Sequence, residues 1–416
     1  MSSLIVNRGA ALSGEIQIEG AKNSALKLMA ATVLAPGTYV LRNVPRISDV
    51  EWMGEVLAAI GSRSSWLDRS TLEVTSGESL APEAPYELVE KMRASTALLG
   101  PLLARCGEAH IAMPGGDDFG SRPINMHLSG LEALGASFEL RHGTIHGRAD
   151  GLVGARVVLE YPSVGATENL LLAATLASGG TIIDNAAREP EIADLAAFLN
   201  RMGAKVLGGG SSTIEVEGVA ELHPVSHEVI PDRIEAATYL ACVASAGGEV
   251  TLLGARADHM TQVIRKIGDM GVRVSPDSAG LWVMATGRPR SADLSTLPYP
   301  GIATDVLPVF VAALATADGT SFATENLFGG RFRYVGELAR MGAEIAVDGH
   351  HLVIEGVELL SGAKVRATDI RAGAALVVAA LRAEGETEIY DAQHIDRGYH
   401  GLAEKLSAVG ADVRRG

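Results

Sequence analysis

Residues 169–206 read NLLLAATLASGGTIIDNAAREPEIADLAAFLNRMGAKV. The stretch opens on an alanine-rich run, Asn169 to Ala177, that is apolar nearly all round, and a helix of that kind is buried on every side. A turn at Gly180 follows, then Thr181 to Asp184 with the β-branched content of a strand. A polar loop leads into Ile192 to Met202, where apolar and charged residues alternate at helical spacing, so this second helix lies outside. Gly203 caps it, and another strand begins.

The same order recurs along the whole chain, six times. The first glycine of each unit is Gly37, Gly107, Gly180, Gly248, Gly319 and Gly385, and the second is Gly61, Gly135, Gly203, Gly271, Gly342 and Gly410. Successive differences in the second series are 74, 68, 68, 71 and 68, against 416/6 ≈ 69, so the repeats account for the full length. Ala25 to Leu34, Thr96 to Cys106 and Gly373 to Ala383 read as further buried helices, Tyr399 to Val409 as another outer one, and Glu249 to Leu253 as a strand. A repeated β/α unit is the architecture, and the twelve glycines build it by ending helices and making turns.

The 416 residues suffice for two or three domains, each with its own core. Hydrophobic residues make up 47% and the formal charge is −15, which excludes disorder as the main state and argues against a partner with a phosphate backbone. Met1 to Gly20 shows a short strand pattern and no basic stretch leading into an apolar core, so no secretory signal is read there. The most apolar runs, Leu170 to Ala177 and Val306 to Ala317, fall short of the roughly 18 residues a membrane helix needs. Two cysteines, Cys106 and Cys242, give neither a disulfide framework nor a metal spacing, and a reducing cytoplasm fits. The motifs of zinc hydrolases and elbow-type esterases are missing, Gly20-Ala21-Lys22-Asn23-Ser24 lacks the order of a phosphate loop, and the tryptophans (Trp52, Trp66, Trp282) are scattered. His350-His351 reads as a hairpin turn after Asp348-Gly349.

Aligned repeats put the unusual charges at two places. At the start of the buried helix sit Lys22 with Asn23, Arg93, Asp232 with Arg233, Asp305, and Asp369 with Arg371; at the start of the outer helix sit Arg122, Arg188 with Glu189, Arg331 and Arg397. Cations are disfavoured at a helix N-terminus, whose free N–H groups already make it positive. A local rule broken repeatedly at one structural end marks a functional site, and helix starts with convergent Lys and Arg make a site for anions. Asp305 after Thr304 and Asp232 after Pro231 read equally well as N-caps. Pro114-Gly115-Gly116-Asp117-Asp118-Phe119-Gly120-Ser121-Arg122 reads as a glycine-rich lid carrying two carboxylates.

Several long segments, in order over essentially the full length, resemble the UDP-N-acetylglucosamine 1-carboxyvinyltransferases of the enolpyruvyl transferase family. They are Gly20-Ala21-Lys22-Asn23-Ser24, Met92-Arg93-Ala94-Ser95, Pro114-Gly115-Gly116, Ser163-Val164-Gly165-Ala166-Thr167, Asn185-Ala186-Ala187-Arg188-Glu189-Pro190-Glu191-Ile192, Asp369-Ile370-Arg371-Ala372 and His394-Ile395-Asp396-Arg397-Gly398-Tyr399. The resemblance implies an inside-out α/β barrel of two domains with three repeated β/α units each, Lys22 to Ile230 in one and Met1 to Ala21 plus Pro231 to Gly416 in the other, with the active site in the cleft between them. It implies transfer of the enolpyruvyl group of phosphoenolpyruvate to the 3′-hydroxyl of UDP-N-acetylglucosamine, the step that commits the sugar to peptidoglycan. No metal or cofactor is implied. The expected partners are those two small molecules, with no nucleic acid and no membrane, in a monomer or weak homo-oligomer.

By the same resemblance, Lys22, Arg122 and Arg397 hold the phosphate, Arg331 and Arg371 the carboxylate, and Asn23 also touches the donor. Asn23, Arg93, Arg122, Pro123, Asn125, Ser163, Val164, Gly165, Asp305 and Leu327 contact the nucleotide sugar. Asp305 is the expected base on the attacking hydroxyl, Lys22 and Arg397 take part in catalysis, and Asp117 is the expected general acid. Most of the family carries cysteine where this chain has Asp117, so that carboxyl needs a pKa raised by desolvation or by Asp118 to donate a proton. Asn125 stands where the family usually has aspartate, and Gly329-Gly330 stand where larger polar residues are usual. These departures keep open a paralogue acting on another uridine nucleotide such as UMP, or an idle UDP-sugar-binding regulator. The 5-enolpyruvylshikimate-3-phosphate synthases are a rival within the fold, but their Lys-Ser start and Gly-Asn-Ser-Gly-Thr loop are missing.

Overall fold

The computed structural model describes residues 2–115 and 123–416. These divide into two compact units, one formed by residues 2–19 with 231–416 and the other by residues 20–115 with 123–230. Each unit has a single hydrophobic core of its own.

In the unit of residues 231–416 the core is built on three helices, Arg233–Ala246, Leu307–Leu314 and Ile370–Ala380, which pack on one another. Every residue of Leu307–Leu314 and of Ile370–Ala380 is buried, the condition the all-round apolar pattern dictates. The other unit repeats the plan with Lys22–Ala31, Leu99–Cys106 and Val164–Ala174. Alanine is the commonest residue of Arg233–Ala246 and Ile370–Ala380, where small side chains let helix axes approach closely.

Sheets cover the helices. Strands such as Thr213–Glu217 alternate exposed and buried residues, so one face packs inward and the other meets water. Strand order is the same in every repeat. In the third, Arg156–Val158 enters parallel to Gly180–Asp184, which pairs antiparallel with Thr213–Glu217, which pairs with Lys205–Leu207. The second repeat keeps the order, with its entering strand reduced to a bridge between Glu83 and His110. Helices inside and sheets outside make the inside-out arrangement.

Each unit closes on itself. Ser226–Glu228, at the end of the third repeat, runs parallel to Gly37–Arg42 of the first. In the other unit the chain's beginning performs this closure. Leu12–Gln17 lies parallel to Gly248–Leu253, and Ser3–Asn7 sits between Glu386–Tyr390 and Asp412–Arg415, supplying the strand the sixth repeat lacks.

All six glycines that follow the outer helices have positive φ, as a left-handed C-cap demands; Gly203, for example, has φ +106. Among the glycines before the strands Gly180 differs, because there the left-handed step falls one residue earlier, on Gly179, φ +86. Gly349 and His350 form the turn between Glu344–Asp348 and His351–Glu355, the expected hairpin. Among the described residues no helix is long and apolar enough to cross a membrane.

Because Ser3–Asn7 is an interior strand, Leu4, only 1% exposed, belongs to the core despite its place near the terminus. Leu4→Ala is expected to cost about 3 kcal/mol, like a mid-domain leucine. A urea midpoint unchanged from wild type would show that the strand frays as an ordinary terminus.

Candidate active site

In the unit of residues 20–230, Lys22 is the first residue of its helix, with no side-chain cap before it and no acidic residue in the first turn. Its Nζ lies 2.8 Å from Asp49 Oδ2, and both side chains are buried. Asp49 occupies the first turn of the outer helix Ser48–Ala59, where the dipole favours a carboxylate. A cation unsuited to one helix start is therefore held by an anion suited to another. Asn23 is exposed beside it. Ser24 Oγ donates to buried Asp194 of Pro190–Arg201, whose second oxygen lies 2.8 Å from His227 Nε2. These bonds fix the entry of the helix that carries Lys22 and Asn23.

Arg93 opens a short 3-10 turn and donates from Nη2 to the Pro123 carbonyl at 3.2 Å, and burial pushes its pKa down. Pro123 and Asn125 are exposed, Asn125 being the first residue of Asn125–Ala133. Ser163 is the N-cap of Val164–Ala174, its side chain accepting from Ala166 N at 3.3 Å, and half-buried Val164 and Gly165 form the first turn. Backbone N–H groups at such a turn suit a diphosphate.

Gly165 is small for a reason. A Cβ there would lie 2.8 Å from His127 Cε1. His127 is buried, and its Nδ1 lies 2.8 Å from Asn169 Nδ2, an amide donor that also reaches the Thr96 carbonyl at 2.9 Å. Nδ1 is thus the acceptor, which leaves the proton of the neutral ring on Nε2, toward Gly165. Desolvation first, then Arg93 and Lys27, lowers the His127 pKa to about 3.

In the unit of residues 231–416, Asp305 is the centre. Arg331 Nη2 donates to Oδ1 at 2.6 Å and Arg371 Nε to Oδ2 at 3.1 Å, while Arg331 Nη1 donates to Thr304 Oγ1 at 2.8 Å. Both arginines are buried and the Asp305 side chain is 27% exposed. Arg371 also stacks on Tyr399, 5.2 Å from its ring centroid. Burial works against the Arg371 charge, but Tyr399, Asp305 and Asp232 outweigh it and hold the pKa above the usual arginine value. Arg397 is buried, and Leu327 half-buried in the loop before Arg331.

The structure separates residues that the sequence left ambiguous. Asp232 and Asp369 are N-caps, each accepting two backbone N–H bonds. Asp305 is not: the N-cap of Leu307–Leu314 is Val306, and the Asp305 carboxylate turns instead to two guanidiniums. The reading of Arg397 as a cation at a helix start is corrected, because it caps the C-terminal end of Gln393–Asp396, the end that favours positive charge. Asp117 and Arg122, and the lid from Gly116 onward, lie outside the described residues. Gly329 makes room for His350, whose Cε1 would lie 2.9 Å from an added Cβ.

Sequence reasoning missed Asp49 and Thr304. Asp49 broke no rule where it stood. Thr304 signalled only by its place before Asp305.

Residues 6–406 match the family model described as EPSP synthase (3-phosphoshikimate 1-carboxyvinyltransferase), and the chain belongs to that family of enolpyruvyl transferases. Within it, relatives named UDP-N-acetylglucosamine 1-carboxyvinyltransferase stand near. That of Corynebacterium jeikeium is 49% identical over 99% of each chain, and that of Gluconacetobacter diazotrophicus 50% identical over 100% of this chain and 99% of the relative. Among solved structures, the enolpyruvyl transferase NikO from Streptomyces tendae superposes with a TM-score of 0.88 at 26% identity, covering 100% of this chain and 98% of that one. An EPSP synthase from Acinetobacter baumannii gives 0.77 at 19% identity over 100% of both chains, a likeness of fold alone.

His127 supplies a pH test. Its folded pKa, about 3, lies below the unfolded value of 6.5, so its contribution to stability is complete above pH 6.5 and is lost as the pH falls toward 3. The expected slope is up to about 1.4 kcal/mol per pH unit. His127→Gln should flatten this limb in urea midpoints taken between pH 7 and 4.5, and an unchanged limb would count against a neutral buried ring.

Proposed function

We propose that this chain transfers the enolpyruvyl group of phosphoenolpyruvate to the 3′-hydroxyl of UDP-N-acetylglucosamine and releases phosphate, the committing step of peptidoglycan synthesis. The observation that carries the reading is Asp305, a partly exposed carboxylate held between the buried guanidiniums of Arg331 and Arg371. A base is thereby fixed beside cations suited to an anionic donor. Relatives of that name at 49–50% identity over nearly the full length support the acceptor.

An ionised carboxylate offers about four lone-pair sites. Asp305 accepts from both arginines, one on each oxygen. In the proposed reaction Asp305 takes the proton of the 3′-hydroxyl as its oxygen bonds to C2 of the donor, and Asp117 gives a proton to C3. The tetrahedral ketal then loses the C3 proton and expels phosphate. Lys22, Arg122 and Arg397 receive the phosphate, Arg331 and Arg371 the donor carboxylate. Asn23, Arg93, Pro123, Asn125, Ser163, Val164, Gly165 and Leu327 serve the nucleotide sugar. Charge placed before the reaction begins stabilises the developing anions without reorganisation. Soluble anionic substrates and two free cysteines support a cytoplasmic enzyme.

Phosphate release from phosphoenolpyruvate is the direct measurement, with UDP-N-acetylglucosamine, UMP and shikimate-3-phosphate as separate acceptors. Release with the first is expected; preference for UMP would favour the specialised paralogue, and no release with any would favour a binding protein. Asp305→Asn should lower kcat by about 10²- to 10⁴-fold, the range of a general base. The carboxyl of Asp117 is a poorer nucleophile than a thiolate, so the unaltered enzyme should resist fosfomycin and Asp117→Cys should acquire time-dependent inactivation.

A further inference from the structure

Glu325 follows the strand Thr320–Thr324 and is fully buried, although nothing in the reaction as proposed uses it. Its carboxylate accepts four hydrogen bonds from two loops. Oε1 takes Thr296 Oγ1 at 3.0 Å, Leu327 N at 2.7 Å and Phe328 N at 3.1 Å; Oε2 takes Thr304 Oγ1 at 2.7 Å. Its own backbone N–H donates to the His350 carbonyl at 2.9 Å, which fixes the carboxylate's origin.

A buried carboxylate is costly unless its oxygens are met, and here both accept, Oε1 three times and Oε2 once. The two oxygens serve different ends. Oε1 holds the turn that carries Leu327 and Phe328. Oε2 orients the Thr304 hydroxyl, whose oxygen is thereby left facing Arg331 Nη1, and Arg331 in turn grips Asp305.

We propose that Glu325 is a positioning residue with two separable outputs: through Oε1 it shapes the 327–328 turn that selects the acceptor, and through Oε2, Thr304 and Arg331 it aligns the base Asp305. The inference rests on the reading of Asp305 and Leu327 given above. It goes further by assigning acceptor affinity and chemical rate to opposite oxygens of one side chain.

Glu325→Gln separates them. The amide keeps an oxygen toward the three Oε1 donors and puts an NH₂ against Thr304, which then accepts from both sides and has no acceptor for its own proton. Expected is a kcat about tenfold lower, equivalent to one displaced hydrogen bond, with the KM for UDP-N-acetylglucosamine within about threefold of wild type. Thr304→Val should give the same profile. Glu325→Ala removes both outputs and should raise the acceptor KM about tenfold as well.

Amide hydrogen exchange without substrate provides a readout free of the functional reading. The Leu327 and Phe328 amides should be protected in the wild type and in Glu325→Gln, and released in Glu325→Ala while the helix Arg333–Arg340 stays protected. A kcat for Glu325→Gln within twofold of wild type, or identical kinetic profiles for the Gln and Ala variants, would overturn the division of labour. Fast exchange of both amides in the wild type would overturn the anchoring itself. A wild type that transfers to none of the three acceptors would instead remove the functional reading, and the exchange data would still decide whether Glu325 holds the turn.

Discussion

Three inner helices, apolar over most of their surface, are the constraint from which each unit follows. A helix such as Ile370–Ala380, buried at every residue, cannot lie on a surface, so the sheets must go outside it. A layer of sheet around three helices has no natural beginning or end. Each unit therefore closes by returning a strand from its last repeat to the sheet of its first, and in the unit of residues 231–416 the chain's own start performs that closure.

Packing the helices this way gathers most of their polar chemistry at their ends. Their interiors admit charge only where it is paired, as Lys27 Nζ is with Glu168 Oε2 at 2.8 Å, whereas their first turns carry free N–H groups and meet loops. The cations that gather there are largely desolvated, and two carboxylates offset that cost for three of them: Asp49 for Lys22, and Asp305 for both Arg331 and Arg371. Such pairs contribute little net stability and instead hold charge in fixed places. That is the property an enzyme working on anionic substrates needs, and it explains how a chain of net charge −15 keeps local positive sites.

Family membership and the site support each other without being the same finding. The likeness to the EPSP synthase structure is one of fold, and the closing topology described here accounts for its persistence at 19% identity, since the repeated strand order constrains pattern rather than residue type. The near relatives add agreement over the whole length. Local physics is visible at a departure and at a matching position alike: Gly329 stands where a side chain would press on His350, and Gly165 where one would press on His127.

Much of the fold was legible in order alone. Apolar periodicity, glycine spacing and the alternation of strands reflect local rules, so six repeats, their inner and outer helices and the hairpin at Gly349 could be read without contacts. Lys22, Arg331 and Arg371 were also legible, because each violates a local preference. Tertiary structure decided what those rules leave equal. Asp232 and Asp305 occupy similar places before inner helices, yet one caps backbone N–H groups and the other faces two guanidiniums, since only packing brings Arg331 and Arg371 to it. Asp49 and Glu325 were invisible for the opposite reason: a carboxylate in a first turn or after a strand breaks no rule, and its role comes from partners distant in sequence, Lys22 and Thr304.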